Sequence, residues 1–178
     1  MNIILAVRKE LHRLWLSHYF KTTPQGALKI TRETDLGKLI CSTVKYATLP
    51  VCAELDLGHN VTFRLPSVDS LKMAPNRHLF FDRETQLRLN DLIEVFFELD
   101  FDRFYLKGVK LGMLKKDVIE SFIVSRKLSN LMGDNEMLKK RQFREELELF
   151  HQRVEQLRQK AYYRNDRIEL DMKKNLLN

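Results

Sequence analysis

Residues 82–99 read DRETQLRLNDLIEVFFEL and contain the strongest helix signal in the chain. Asp82 is a residue type that caps helix N-termini, and Glu84 and Thr85 follow where a first helical turn would be. The apolar residues that come next recur three and four positions apart, which is the period of one helix face. The segment predicts the central core helix, with a buried stripe formed by Leu89, Leu92, Ile93, Phe96, Phe97 and Leu99.

After this stripe, the sequence pattern does not decide at one point whether the helix continues. Residues 99–102 read LDFD and alternate apolar and acidic side chains, so the pattern leaves open a strand or a break in the helix. Farther along, the apolar spacing over residues 114–128 predicts another helix. A long terminal helix is expected to begin at Asp134 or Asn135, since either residue type caps helices.

The N-terminal part predicts two further helices and a short extended run. Residues Ile3 to Phe20 place apolar side chains at helical spacing and predict a first helix. Residues 27–31 read ALKIT and favour a strand. Asp35 is placed to cap a second helix, which Pro50 would end because the residue before a proline disfavours helical geometry.

The best hairpin signal lies in the next segment. Residues 52–57 and 61–65 both alternate apolar and polar side chains, and Gly58, His59 and Asn60 between them are turn formers. The sequence therefore predicts a small antiparallel β-hairpin here.

These segments together predict an α+β fold that is predominantly α-helical. It would hold the small hairpin in its N-terminal half and a helical C-terminal region that ends in a long helix. We expect an α+β portion at residues 1–81 and a basic helical portion at residues 82–178, joined in one continuous globular unit.

Positive charge is concentrated toward the C-terminal end of the chain. Residues 1–102 hold thirteen Lys/Arg and thirteen Asp/Glu, whereas residues 103–178 hold eighteen and eleven, which accounts for the net charge of +7. Residues 103–116 alone carry five cations and no carboxylate, and Gly108 and Gly112 within them predict turns. Because such a field raises the local concentration of polyanions, we expect a polyanionic partner.

Composition and spacing argue against several classes of protein. Two cysteines are too few for a disulfide framework, and the five histidines are too scattered for a zinc site. The sequence has no phosphate-binding glycine loop and no nucleophile elbow. We therefore expect no metal, no cofactor and no enzymatic activity. The N-terminal residues lack the charge order of a secretory signal and no apolar run has the length of a membrane span, so a cytoplasmic protein without a membrane partner is expected.

The sharpest motif is a helix-turn-helix pattern over about residues 114–146. Its second helix would present cations in its early turns, where a helix in the major groove meets phosphates, while two side-chain amides contact base edges. A simpler interpretation is a helical hairpin with solvated basic faces. The predicted nucleic-acid-binding residues are Lys115, Lys116, Arg126, Lys127, Asn135, Lys139, Lys140, Arg141, Gln142 and Arg144.

Residues 143–161 carry a second pattern, which we call the heptad seam. Its apolar side chains follow spacings of four and three over nearly three heptads. This length favours packing of the terminal helix on the chain's own core and leaves a homodimer open. A protein-interaction or assembly module is the corresponding alternative function, and its contact residues would be Phe143, Leu147, Phe150, Val154 and Leu157.

Two more patterns supply further alternatives. Residues 158–167 interleave cations with Tyr162 and Tyr163, a mixture that is typical of single-stranded nucleic-acid binders and also of a helix end whose tyrosines pack on a neighbour. The carboxylates near the end of the core helix would suit a metal-dependent nuclease if they converged on a divalent cation, although alternating acids are also typical of a solvent-facing edge. These carboxylates are Glu98, Asp100 and Asp102, with Asp82 and Asp91 upstream.

The sequence favours noncatalytic DNA binding over these alternatives. We expect an accessory or regulatory protein of bacterial DNA metabolism or of a mobile element, which docks on the phosphate backbone through its basic C-terminal helices. Double-stranded DNA is the favoured partner, and single-stranded DNA stays open.

Overall fold

The computed structural model describes residues 1–51, 55, 57–66, 78–129, 138, 152, 154–156 and 159. Within these ranges the chain is a predominantly helical α+β protein with a small sheet, as predicted. The described residues of the expected terminal helix, 138, 152, 154–156 and 159, are helical. None of the described helices combines the length and the apolar character that a membrane span requires.

The chain begins with a strand rather than with a helix. Strand β1 (Asn2–Val7) buries Ile3, Leu5 and Val7, whose side chains share one face because strand side chains alternate. Helix α1 comprises only Glu10–Tyr19. The prediction of a single helix from Ile3 is therefore wrong, because a short apolar run fits either period and its pairing partner in the sheet decides between them.

A four-stranded sheet has the order β1-β5-β3-β2, with β2 (Lys21–Thr22), β3 (Leu28–Lys29) and β5 (His59–Arg64). Strand β5 is antiparallel to β1 and parallel to β3. The second strand of the predicted hairpin is thus confirmed, with β1 along one edge and β3 beside its last two residues at the other. Most of the predicted first strand, residues 52–57, lies outside the described residues. Strands β2 and β3 form an antiparallel pair in the N-terminal half.

Helix α2 (Asp35–Ser42) begins one residue earlier than its predicted cap implies. The hydroxyl of Thr34, and not Asp35, accepts the capping hydrogen bond, from the Gly37 N–H at 3.1 Å. The helix also ends well before Pro50, since β4 (Lys45–Ala47) follows and pairs antiparallel with β6 (His78–Phe80).

Helix α3 (Arg83–Lys110) is the predicted core helix. The Asp82 carboxylate caps it by accepting from the Thr85 N–H at 2.9 Å. The helix runs without interruption through residues 99–102, which settles the ambiguity of that segment in favour of helix. Its fully buried side chains recur every four residues and face the sheet and α1; they are Leu89, Ile93, Phe97 and Phe101.

Two buried amides of α3 bind the backbone at the end of β1. The Asn90 side chain donates to the Ala6 carbonyl at 2.8 Å and accepts from the Arg8 N–H at 2.9 Å. The Gln86 side chain accepts from the Ala6 N–H at 3.3 Å. Because a buried backbone group without a partner is costly, these amides allow the edge strand to lie against the core helix.

Helix α4 (Lys115–Ser125) confirms the helix predicted at residues 114–128 and packs on the end of α3. Gly108 lies inside α3, where it is buried against Val118, so the turn predicted at this glycine is wrong. The turn predicted at Gly112 is confirmed by its positive φ of 79°.

Helices α3 and α4 end in the same hydrogen-bonded motif. Each places a residue with positive φ just past the helix, Gly112 after α3 and Lys127, with φ of 57°, after α4. The N–H of the next residue donates to the carbonyl five positions earlier, at 3.2 Å for Met113 and 2.9 Å for Leu128. This is the Schellman motif, in which glycine is the preferred residue at the left-handed position.

Candidate nucleic-acid interface

The last turns of α3 place three cations on one exposed face. Arg103, Lys107 and Lys110 are spaced by four and three residues and are all exposed, whereas Tyr105 and Gly108 between them are buried. Residues with this spacing lie above one another on a helix. The same segment therefore anchors α3 in the core with one face and presents a line of positive charge with the other.

Two more exposed cations follow the turn at Gly112. Lys115 and Lys116 begin α4 and are exposed. Lys116 approaches Glu120 at 3.8 Å, but both side chains are largely solvated, and such exposed pairs contribute little. We call the set of five residues the helical cationic surface; its members are Arg103, Lys107, Lys110, Lys115 and Lys116.

Apolar side chains are exposed among these cations. Leu111 and Leu114, in the turn between the two helices, are 72% and 71% exposed. An open depression of about 360 Å³ lies beside them, lined by Arg103, Leu106, Lys107, Lys110 and Leu111. Ammonium and guanidinium groups on aliphatic stems thus border a shallow apolar floor, an arrangement that can hold a phosphate at its rim and a sugar or base on its floor.

Arg126, a predicted site residue, is engaged inside the protein. Its guanidinium makes two hydrogen bonds of 3.0 Å to the carboxylate of Asp100, and its side chain is only 19% exposed. The same carboxylate accepts from the Trp15 indole N–H at 3.0 Å. The guanidinium also lies 5.8 and 5.3 Å from the ring centroids of Phe104 and Phe122. Arg126 therefore joins α4 to α3, and its charge is balanced locally.

Lys127, the neighbouring predicted residue, is exposed and occupies the left-handed position after α4. Its charge and that of Arg126 reach His18 at the end of α1. Burial lowers the pKa of His18, and repulsion by these two cations lowers it further, while attraction to Asp100 opposes the shift.

The remaining predicted site residues lie outside the described residues. They belong to the second helix of the expected helix-turn-helix and are Asn135, Lys139, Lys140, Arg141, Gln142 and Arg144. Tyr162 and Tyr163 and most of the heptad seam lie outside as well. Within the seam, Val154 is helical and half-buried.

The carboxylates considered for a nuclease do not converge. Asp82 and Asp102 are twenty residues apart on one helix, which separates them by about 30 Å. Asp100 is held by Trp15 and Arg126, and Asp91 pairs with Arg8 at 2.6 Å. Across the part of the chain that the structure describes, no three His, Cys, Asp or Glu side chains are grouped as metal ligands.

Sequence reasoning named Lys115 and Lys116 but missed the three cations of α3. Their signal was present, since residues 103–116 carry no carboxylate and Arg103, Lys107 and Lys110 follow helical spacing. These cations share one face only if α3 continues past residue 102, and the sequence pattern left open whether the helix ends at that point.

The helical cationic surface is suited to binding a polyanion. No family model, curated protein or solved structure matches this chain.

Proposed function

We propose that the protein is a noncatalytic DNA-binding accessory or regulatory protein and that the helical cationic surface contacts the phosphate backbone. One observation carries the proposal: five exposed cations lie at the end of α3 and the start of α4, and residues 103–116 contain no carboxylate. Cations held in this way displace condensed counterions from nucleic acid, which supplies affinity that is independent of base sequence.

The order of the elements suggests how the surface is used. Lys115 and Lys116 stand at the N-terminus of α4, where the first helical N–H groups have no acceptor within the helix, and helix N-termini favour phosphate groups. In this proposal α4 is the first helix of a helix-turn-helix and crosses the backbone, while the helix predicted from Asn135 supplies base contacts through Asn135 and Gln142.

Arg126 has a different role in this proposal from the other predicted cations. Because Asp100 neutralises its guanidinium, the arginine fixes the orientation of α4 relative to α3 instead of binding phosphate. Lys127, which has no such partner in the described residues, remains a candidate for backbone contact.

The proposal is tested by salt-dependent binding of the full chain to a labelled random-sequence duplex between about 50 and 200 mM salt. In the double variant K107Q/K110Q, the slope of log affinity against log salt should fall by about 2, since each lost phosphate contact removes about one released ion. The matched control is K38Q/R88Q, which removes two exposed cations that are paired with Asp35 and Glu84. Equal losses in the two variants, or no binding of the wild type at low salt, would refute the proposal.

An assembly module is the second candidate, and one observation favours it. Leu111 and Leu114 in the α3–α4 turn and Val124 on α4 are each more than two-thirds exposed, which is a cost that a second protein chain would remove. Light scattering on the full chain distinguishes the two functions. A stable oligomer that becomes monomeric when Leu147 and Leu157 are replaced by polar residues would support assembly through the heptad seam.

A further inference from the structure

Three cations from three different strands meet on the outer face of the sheet. Lys21 of β2 stands directly opposite Lys29 of β3, and Lys29 is in register with Arg64 of β5. All three side chains are exposed. We call these residues the cationic row.

The register places the members of the row on one face. Directly paired residues of neighbouring strands point to the same side of a sheet, and the adjacent pair Leu28 and Phe63 points to the other side, where both are buried. Neighbouring strands are about 4.8 Å apart, so the row extends about 10 Å across the sheet. Asn2 of β1, opposite Arg64, continues it with a neutral polar side chain.

Among the described residues, no carboxylate pairs with the row. The four strands of this sheet contain no Asp or Glu. Within the described residues, none of the three cations is joined to a carboxylate in an ion pair. Like charges directly opposite one another on a sheet are destabilising, so the fold holds an arrangement that repels itself.

This surface is invisible in the sequence. Its members are separated by eight and thirty-five residues, and they lie in a part of the chain whose positive and negative charges balance. The sheet topology alone gathers them, because β5 inserts between β1 and β3 and brings Arg64 beside Lys29.

We propose that the cationic row is a second contact surface for the phosphate backbone of nucleic acid, on the sheet face opposite the helical core. The inference rests on the proposed function for its partner and concerns a different surface. Three neighbouring cations can neutralise phosphates of one nucleic-acid strand, and exposed sheet faces serve as nucleic-acid contact surfaces in other proteins. No aromatic side chain belongs to the row, so binding here is expected to be insensitive to base sequence.

The test compares two charge-matched triple variants of the full chain, K21Q/K29Q/R64Q in the row and K107Q/K110Q/K115Q on the helical cationic surface. A labelled random-sequence oligonucleotide, as duplex and as single strand, is titrated between about 50 and 200 mM salt. For the row variant we expect the salt slope to fall by about 2 to 3 on at least one of the two forms. Its midpoint of thermal unfolding should rise, because repulsion between the cations is relieved.

The outcomes separate this inference from the proposed function. A smaller slope of log affinity against log salt in both variants supports both surfaces. Loss in the helical variant alone leaves the proposed function standing and refutes the row, whereas loss in the row variant alone supports the row and refutes the helical surface. A wild type that binds neither oligonucleotide refutes both. The thermal midpoint shows whether the triple row variant is still folded. If that variant unfolds at a lower temperature than the wild type, the single variant Lys29→Gln is used in its place. Its salt slope should fall by about 1, and an unchanged slope would overturn the row.

Discussion

Gly108 of α3 lies directly against Val118 of α4, so close that a β-carbon added to the glycine would come within 2.6 Å of a valine methyl carbon. Both residues are buried. The absence of a side chain at residue 108 therefore sets the distance between the two helices that carry the helical cationic surface.

Substitution Gly108→Ala should destabilise the protein by about 1 to 3 kcal/mol, because Val118 is stiff and cannot move aside without disturbing the core. In the Val118→Ala background the penalty should be smaller, because the two methyl carbons are gone, the β-carbon at 3.2 Å remains, and alanine is the better helix former. Urea unfolding of the four proteins in this double-mutant cycle measures both effects. A Gly108→Ala penalty of equal size in both backgrounds would contradict the contact.

The two helix ends with the same motif permit a comparison of Lys127 and Gly112. Lys127→Gly should stabilise the protein by about 1 kcal/mol, because glycine adopts positive φ without the strain of a β-carbon. Gly112→Ala should destabilise it by about the same amount. Lys127→Ala is the control for charge: it removes the cation but keeps the β-carbon, so it should give no comparable gain in urea unfolding. A gain in Lys127→Ala as large as in Lys127→Gly would assign the effect to charge.

The Asp100 carboxylate connects three elements through Trp15 and Arg126. Asp100→Asn should lower the free energy of unfolding by about 1 to 3 kcal/mol, since it leaves the half-buried guanidinium without a countercharge. It should also change the fluorescence of Trp15, which is the single tryptophan of the chain. Asp91→Asn is the matched control, because Asp91 lies on the same helix as Asp100 and forms an exposed ion pair with Arg8. Its loss should cost less than about 1 kcal/mol. Similar costs for both variants would argue against a special role for Asp100.

Asp82 should make the protein sensitive to acid. Hydrogen bonds from Lys45 and Thr85 lower the pKa of its carboxyl from 3.8 to about 2. Above about pH 5 the carboxylate is ionised in both the folded and the unfolded chain, and its interactions stabilise the fold in full. As pH falls toward about 2, the unfolded chain takes up the proton first, and about 1 to 2 kcal/mol of stability is lost.

The variant Asp82→Asn isolates this effect. Asparagine remains a good helix cap, so the variant keeps the cap of α3 while it loses the charge that pairs with Lys45. The difference in unfolding free energy between wild type and variant should shrink between pH 4 and pH 2. A difference that stays constant with pH would show that this carboxyl does not titrate in the expected range.

The long helices could be predicted from the sequence because the patterns that indicate them are local. The cap at Asp82, the stripe of α3 and the helix that became α4 all depend on neighbours three or four residues away. Strand β1 could not be distinguished from a helix, since its apolar run is short and its partner β5 lies more than fifty residues later.

The residues of the candidate site also differ in whether local sequence or distant contacts reveal their role. Lys115 and Lys116 follow from a local charge run, but the pairing of Arg126 with Asp100 joins residues twenty-six positions apart and changes the role of that arginine. The cationic row of Lys21, Lys29 and Arg64 depends entirely on sheet register. Contacts set by topology leave little trace in a single sequence.

The two amides of α3 that satisfy Ala6 also determine how copies of the protein can meet. An uncovered edge strand is a template on which another chain adds its own strand. Gln86 and Asn90 occupy the hydrogen-bonding groups of Ala6 on β1, and the opposite edge of the sheet, β2, offers only two residues. Addition of a strand from a second molecule is therefore disfavoured at Ala6 and at β2.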